Sequence, residues 1–214
     1  MTNGTALATA PHAVDLDTLL APLDTELAAM EARLAELVSE HIRPFFPEIE
    51  SLMRGGKRLR GALTIASARA ATREESRLAR AAEMAAVIEC LHFASLLHDD
   101  VIDHGDERRG RATLHRLYGA AGAILAGDLL VARLVSRVFD RFDAATVRLL
   151  LDGAVAVIEG ETRQTLAAVR GQGVDIDAYL SFIEQKTASF FRTALLAGAR
   201  IGAEQEPAGL GEYG

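Results

Sequence analysis

From Glu48 to Glu206 the chain contains no proline. The five prolines stand at positions 11, 22, 44, 47 and 207. Proline inside a helix removes a backbone hydrogen bond and clashes with the preceding turn. The proline-free span can therefore run as long helices. It is rich in Ala, Leu, Arg and Glu, the strongest helix formers, and it has no alternating β-branched runs. The pattern predicts an all-α domain.

Leu16, Leu19, Leu20, Leu23, Leu27, Met30, Leu34 and Leu37 recur at three- and four-residue spacing, which predicts one amphipathic helix over about 15–40. Pro44 and Pro47 end it. A second helix follows Gly55-Gly56 and runs through Leu59 and Ile65 to about Ala71. A third spans about Ser76 to Asp103, and Gly105 and Gly110 mark the loop after it. Further helices are expected at about 117–141, 144–170 and 175–201, the last capped by Asp175. There is no internal repeat and no linker. The 214 residues are enough for one core of ordinary size. One helix bundle is expected over 14–214, preceded by a flexible tail at 1–13.

The net charge of −7 disfavours non-specific nucleic-acid binding, which needs a broad basic surface. A single cysteine, Cys90, allows no intrachain disulfide and points to a reducing compartment. The amino terminus has no basic flank and no dense apolar block. The most apolar stretch, Gly119 to Gly127, is followed at once by Asp128 and then Arg133. No export signal and no integral membrane segment are expected, and the expected location is cytoplasmic.

Leu96-Leu97-His98-Asp99-Asp100-Val101-Ile102-Asp103 is the most informative segment. On a helix Asp99 and Asp103 share a face, about 6 Å apart along the axis. Carboxylates at a helix carboxyl end repel one another and oppose the macrodipole. A divalent cation would reverse the sign of that energy. Oxygen-only ligands suit Mg²⁺, which takes one or two carboxylates, waters and substrate phosphates. The alternative is a solvated acidic helix end, but the apolar flanks Leu96, Leu97, Val101 and Ile102 place the acids on a buried helix. His98 reads equally as a ligand or as a hydrogen-bonded core histidine, and His92 falls on the face of Asp99.

Two basic clusters stand against the acidic background. In Arg54-Gly55-Gly56-Lys57-Arg58-Leu59-Arg60, paired glycines let backbone approach a ligand, and Lys57 and Arg60 can converge on one anion. Cations at a helix amino terminus are unfavourable for the helix itself, which suggests a bound anion such as phosphate. Arg108-Arg109-Gly110-Arg111 follows Asp103 closely, and arginine grips phosphate in a bidentate way. Each cluster alone also reads as a solvated patch. Together with the aspartates they imply two phosphorylated substrates, or one substrate with two phosphate ends. Lys186-Thr187 is a third candidate.

These segments resemble the trans-polyprenyl diphosphate synthases, the head-to-tail prenyltransferases. Six motifs occur in the family's order. They are GGKRLR at 55–60, ECLHFASLLHDDVID at 89–103, and Arg108-Arg109-Gly110 with Thr113 and His115. Gly127-Asp128-Leu129-Leu130, Gly160-Glu161 with Gln164, and Lys186-Thr187-Ala188-Ser189 follow. The resemblance implies an isoprenoid synthase helical bundle, normally a homodimer. It implies that Asp99 and Asp103 hold Mg²⁺ against an allylic diphosphate and that Arg108, Lys186 and Thr187 bind that diphosphate, with Asp99, Asp103 and Lys186 catalytic. It assigns Lys57, Arg60, His92 and Arg109 to isopentenyl diphosphate, and Gln164 to the neighbourhood of the allylic site. Ala94 and Ser95, one turn before the first aspartate, are small, as in medium- or long-chain synthases. Phe93 departs from the small residue usual there.

The resemblance covers roughly the first two thirds of a typical member. The chain stops at Leu210-Gly211-Glu212-Tyr213-Gly214, where the approach to a second aspartate-rich helix would begin. The bundle is therefore expected to be C-terminally incomplete. A fragment that shows little synthase activity alone is the favoured expectation. The alternatives are a shortened gene product, or a non-catalytic or complementing subunit of a heteromeric synthase. An HD-type metal phosphohydrolase would read His98-Asp99 as ligands but leaves Lys57, Arg60 and Lys186 unexplained. A terpene cyclase leaves the Lys57–Arg60 cluster unexplained.

Overall fold

The computed structural model describes residues 15–171, 173 and 175–203. The expected tail at 1–13 and the segment 210–214 lie outside the described residues. Within them the helices are α1 (Leu16–Leu20), α2 (Asp24–His41), α3 (Ile49–Met53), α4 (Leu59–Ala71), α5 (Glu75–Ile102), α6 (Leu114–Arg141), α7 (Ala144–Val169), α8 (Ile176–Ile183) and α9 (Ser189–Gly202). A 3₁₀ turn, Ala21–Leu23, joins α1 to α2, and a π-helical turn, Glu184–Ala188, joins α8 to α9.

The bundle is built around α5. A helix that is apolar on every side belongs in a core, and Ala81 through Cys90 of α5 are all buried. It is packed by α2, α4, α6 and α9. Met30, Leu34, Leu37 and Val38 supply the inward stripe of α2, as their spacing predicts. The single helix expected over 15–40 is broken because Pro22 enters the first turn of the 3₁₀ segment and separates α1 from α2.

Helix starts follow capping chemistry. Asp143 accepts from the amides of Ala145 and Thr146, Asp175 from Ala178, and Thr113 from Arg116. Thr113 also donates to the Gly105 carbonyl (2.7 Å), which ties the loop after α5 to the start of α6. That loop is a small hairpin, β1 (Glu107–Arg108) paired antiparallel with β2 (Arg111–Ala112). Its two turn residues, Arg109 and Gly110, both have positive φ, 53° and 73°, as a two-residue type I′ turn requires.

Among the described residues two helices are long and apolar enough to cross a membrane by length and composition alone. They are α5, with mean hydropathy 1.2, and α6, with 1.5. The expectation of no such segment considered only the run at 119–127, whereas each of these helices contains an 18-residue apolar stretch with no more than two charges. In the bundle α5 and α6 pack on each other, and 72% of the apolar window of α5 is buried, as suits a core helix. The outer face of α6 carries exposed Ile124, Leu125 and Phe139.

Candidate functional site

The end of α3, the start of α4 and the middle of α5 enclose a pocket. It is lined by Lys57, Arg60, His92, Arg108 and Arg109, with Phe93 and Leu96 as its apolar wall. Five of the expected site residues thus meet, although they come from three separate segments of chain. Arg58, the residue before α4, adopts the left-handed conformation at φ 49°. It lines the same pocket, and its guanidinium hydrogen-bonds Glu31 (2.7 Å) and the Met53 carbonyl (2.9 Å). The arginine between Lys57 and Arg60 is therefore a brace for the loop. The Arg58 and Arg109 guanidiniums flank Gly56, where a Cβ would meet Arg109 and Arg58 nitrogens at 3.4 Å, an ordinary contact distance.

Arg60 is half-buried, and its guanidinium lies over the Phe191 ring, 4.4 Å from the centroid. Burial lowers its proton affinity, and the Glu89 charge partly restores it. Its Nε is buried with no hydrogen-bond partner. A buried unsatisfied donor is costly. Lys57 is exposed at the rim. The expected free amides at this helix amino terminus are already partly occupied, because Glu89 accepts the Gly61 N–H at 2.8 Å. Some of the anion that the clustered cations call for is thus a side chain of the protein itself.

His92 is pushed down to a pKa of about 4, first by burial and then by the charges of Arg60, Arg108, Arg109 and Arg58. It is neutral at pH 7. The unfolded chain binds a proton on this histidine below about pH 6.5, whereas the folded chain does so only near 4. Stability contributed by the neutral form is therefore lost as pH falls through that window, by on the order of 2–3 kcal/mol. His92→Gln removes this component, so its melting temperature should fall less than that of the parent between pH 6.5 and 4. Parallel curves would show that His92 does not titrate as its surroundings imply.

The second group gathers around the carboxyl end of α5. Asp99 is half-buried and Asp103, the C-cap of α5, is exposed. Burial raises the Asp99 pKa, the Lys186 charge lowers it, and Glu161 and Asp103 raise it further. Lys186, in the π turn, is ion-paired with Glu161 of α7. Burial works against its ammonium, but the hydrogen bond to Glu161 and the charges of Asp99, Glu161 and Asp103 outweigh it, and its pKa is raised. Lys186, Asp99, Asp103 and Glu161 thus form one electrostatic unit drawn from three elements. Thr187 is exposed beside Lys186, and Gln164 is exposed on α7 and does not line the pocket.

Asp100 and Arg108 pair with each other. Asp100 is buried and receives Arg108 through Nη2 (2.7 Å) and Nε (3.0 Å). The middle aspartate therefore holds an arginine and leaves the flanking pair, Asp99 and Asp103, open. Arg108 lines the basic pocket and also lowers the Asp99 pKa, so it stands between the two groups. His98 approaches the Ile124 carbonyl (3.3 Å) and Asp128 (3.4 Å). Among the described residues no three His, Cys, Asp or Glu side chains form a ready metal cage. The donor set nevertheless fits a hard cation. Two carboxylates a helical turn apart leave the remaining positions to water and phosphate oxygen, the arrangement Mg²⁺ favours.

The polyprenyl synthetase family pattern matches residues 47–214. The chain belongs to this family. It is 32% identical to the all-trans-nonaprenyl-diphosphate synthase (geranyl-diphosphate specific) of Rhodobacter capsulatus, over 88% of this chain and 57% of that protein. The geranylgeranyl pyrophosphate synthase of Lactobacillus brevis superposes with a TM-score of 0.80 at 28% identity, over 92% of this chain and 61% of that one. The polyprenyl synthase of Caulobacter crescentus, solved with calcium and isoprenyl diphosphate, superposes with a TM-score of 0.76 at 28% identity, over 90% of this chain and 58% of that one. The chain thus spans about three fifths of the length of these relatives. The all-α isoprenoid synthase architecture expected from the motifs is the one observed.

Proposed function

We propose that this chain carries the two diphosphate sites of a trans-prenyltransferase that joins an allylic diphosphate to isopentenyl diphosphate. The observation that carries the reading is the pair of groups joined by Arg108. One is a basic pocket with an unsatisfied Arg60 donor; the other is an acid–lysine unit on the same bundle. Isopentenyl diphosphate occupies the first, held by Lys57, Arg60, His92 and Arg109. The allylic diphosphate occupies the second, where Lys186, Thr187 and Arg108 bind its oxygens and Asp99 and Asp103 hold Mg²⁺. When bound, the metal offsets charge on the departing pyrophosphate. Lys186 and Arg108 are fixed cations aimed at the same developing charge. The allylic C–O bond breaks with its electron pair leaving on pyrophosphate, the isopentenyl double bond attacks the resulting cation, and the new cation gives up a proton to the departed pyrophosphate. The apolar body of α5 keeps water from that cation.

The test is binding to the purified chain. With Mg²⁺ present, an unreactive allylic thiolodiphosphate and isopentenyl diphosphate should bind at separate places. Arg60→Met should weaken only the second, and Lys186→Met only the first, each about tenfold or more. Absence of binding by both ligands would overturn the proposal.

We place product length in the medium-to-long range, because Ala94 and Ser95 of α5 are small where the growing chain would pass. Ala94 is 1% exposed, so Ala94→Phe should cost about 1–3 kcal/mol through overpacking and, in a competent enzyme, shorten the product. An unchanged product distribution would remove Ala94 from the channel wall. The outward apolar face of α6 (Ile124, Leu125, Phe139) fits a second copy of the chain, and sedimentation at twice the chain mass is the expected result. A monomer throughout the micromolar range would remove that assignment.

A further inference from the structure

Lys186 sits in the one π-helical turn found among the described residues. Such turns insert an extra residue into the helical ladder and often mark functional sites. Here the Ser189 N–H reaches back five residues to the Glu184 carbonyl, and the Ser189 hydroxyl donates to the Gln185 carbonyl. The widened turn packs against α7, most closely at Gly160. A Cβ built on Gly160 would stand 2.8 Å from the Gln185 Cβ, 2.9 Å from the Lys186 backbone nitrogen and 3.2 Å from the Gln185 carbonyl carbon. Two of those atoms are backbone and cannot rotate aside. Any side chain at 160 must therefore push the turn away from α7. The next residue, Glu161, is ion-paired with the Lys186 ammonium.

We infer that Gly160 and Glu161 are positioning residues for Lys186. Gly160 seats the π turn against α7 by having no side chain, and Glu161 then draws the ammonium toward Asp99. Adjacent residues on a helix point in directions about 100° apart. One can thus meet the turn's backbone while the other meets the end of the lysine side chain. The proposal rests on the reading of Lys186 as a diphosphate ligand, but its main test needs no ligand.

The chain contains only two lysines, Lys57 and Lys186. Reductive methylation with ¹³C-formaldehyde gives each a separate dimethylammonium NMR signal, assigned by single Lys→Arg variants. In the unliganded chain, Glu161→Gln should move the Lys186 signal toward that of a free dimethyl-lysine and leave Lys57 in place. Gly160→Ala should do the same. With Mg²⁺ and inorganic pyrophosphate as the probe, both variants should bind about tenfold more weakly than the parent. A Lys186 signal unmoved in folded Glu161→Gln, or unmoved in folded Gly160→Ala, would overturn the proposal, because a merely structural glycine lowers the melting temperature without moving that signal. If Gly160→Ala does not fold, Glu161→Gln decides alone. A parent chain that binds no Mg-pyrophosphate while the Lys186 signal moves as expected would count against the diphosphate reading and leave the positioning roles standing.

Discussion

Glu89→Ala should lower the unfolding free energy by about 3–5 kcal/mol, the range for removing one partner of a buried charged network. The residue is 4% exposed in the middle of α5. Its Oε1 accepts the Gly61 amide at 2.8 Å, and its Oε2 lies 3.9 Å from Arg58 Nη1. Removing the carboxylate leaves an amide of the first turn of α4 without its acceptor. It also leaves Arg58 and Arg60 beside a helix amino terminus that already disfavours cations. For a chain of this size the loss corresponds to a melting temperature lower by roughly 10 °C. Glu89→Gln keeps an acceptor for Gly61 and gives up only the charge, so it should fall between the parent and the alanine variant. Equal melting temperatures for all three would show that the carboxylate does not hold the α4–α5 junction.

Glu89 also shows where the sequence stops being legible. The long helices could be read because their signals are local. Pro44 and Pro47, the Gly55-Gly56 pair, Gly105 and Gly171 sit at breaks, and each observed helix after α3 starts and ends within a few residues of its expected limits, save that α6 is kinked at Gly119 (φ 72°, ψ 175°) and the stretch expected as one helix at 175–201 is divided by the π turn. The break at Pro22 was also local, but the leucine spacing ran through it and masked it. Short elements left weaker marks. The hairpin at 107–112 depends on two consecutive positive φ values, one of them on an arginine, which is not a residue that announces such a turn.

The site was legible as a set of residues and not as an arrangement. Lys57, Arg60, His92 and Arg109 do meet in one pocket, and Asp99, Asp103 and Lys186 do share a second group. What the sequence hid was the division of labour among neighbours of the same type. Arg58 lines the pocket with Lys57 and Arg60 yet is tied to Glu31, and Asp100 lies between two open carboxylates yet binds Arg108. Spacing along a helix gives the face of a residue but not its partner on another helix. Glu161 was visible only as part of a motif, because its partner Lys186 is 25 residues away and reaches it through a π turn that no local pattern signals.

Asp99→Asn should produce opposite effects on diphosphate binding with and without magnesium, and the change of sign is the decisive feature. In the absence of metal, Asp99 is a negative charge facing a more negative ligand, with Glu161 and Asp103 adding to the repulsion. Removing it should leave inorganic pyrophosphate bound equally well or more tightly through Lys186. With Mg²⁺ present the same carboxylate would instead help hold the ion. Loss of an outer partner of a metal site costs about 10–100-fold in affinity, so loss of a direct ligand should cost about a hundredfold or more. Asp103→Asn should follow the same pattern. Asp100→Asn should not, since its carboxylate is committed to Arg108 at 2.7 Å and its removal frees a cation while taking away no metal ligand. Titration calorimetry of the three variants, with and without the metal, separates these cases. If Asp99→Asn weakened binding to the same extent in both conditions, the carboxylate would be acting as part of the scaffold, and the assignment of Asp99 and Asp103 as metal ligands would fail.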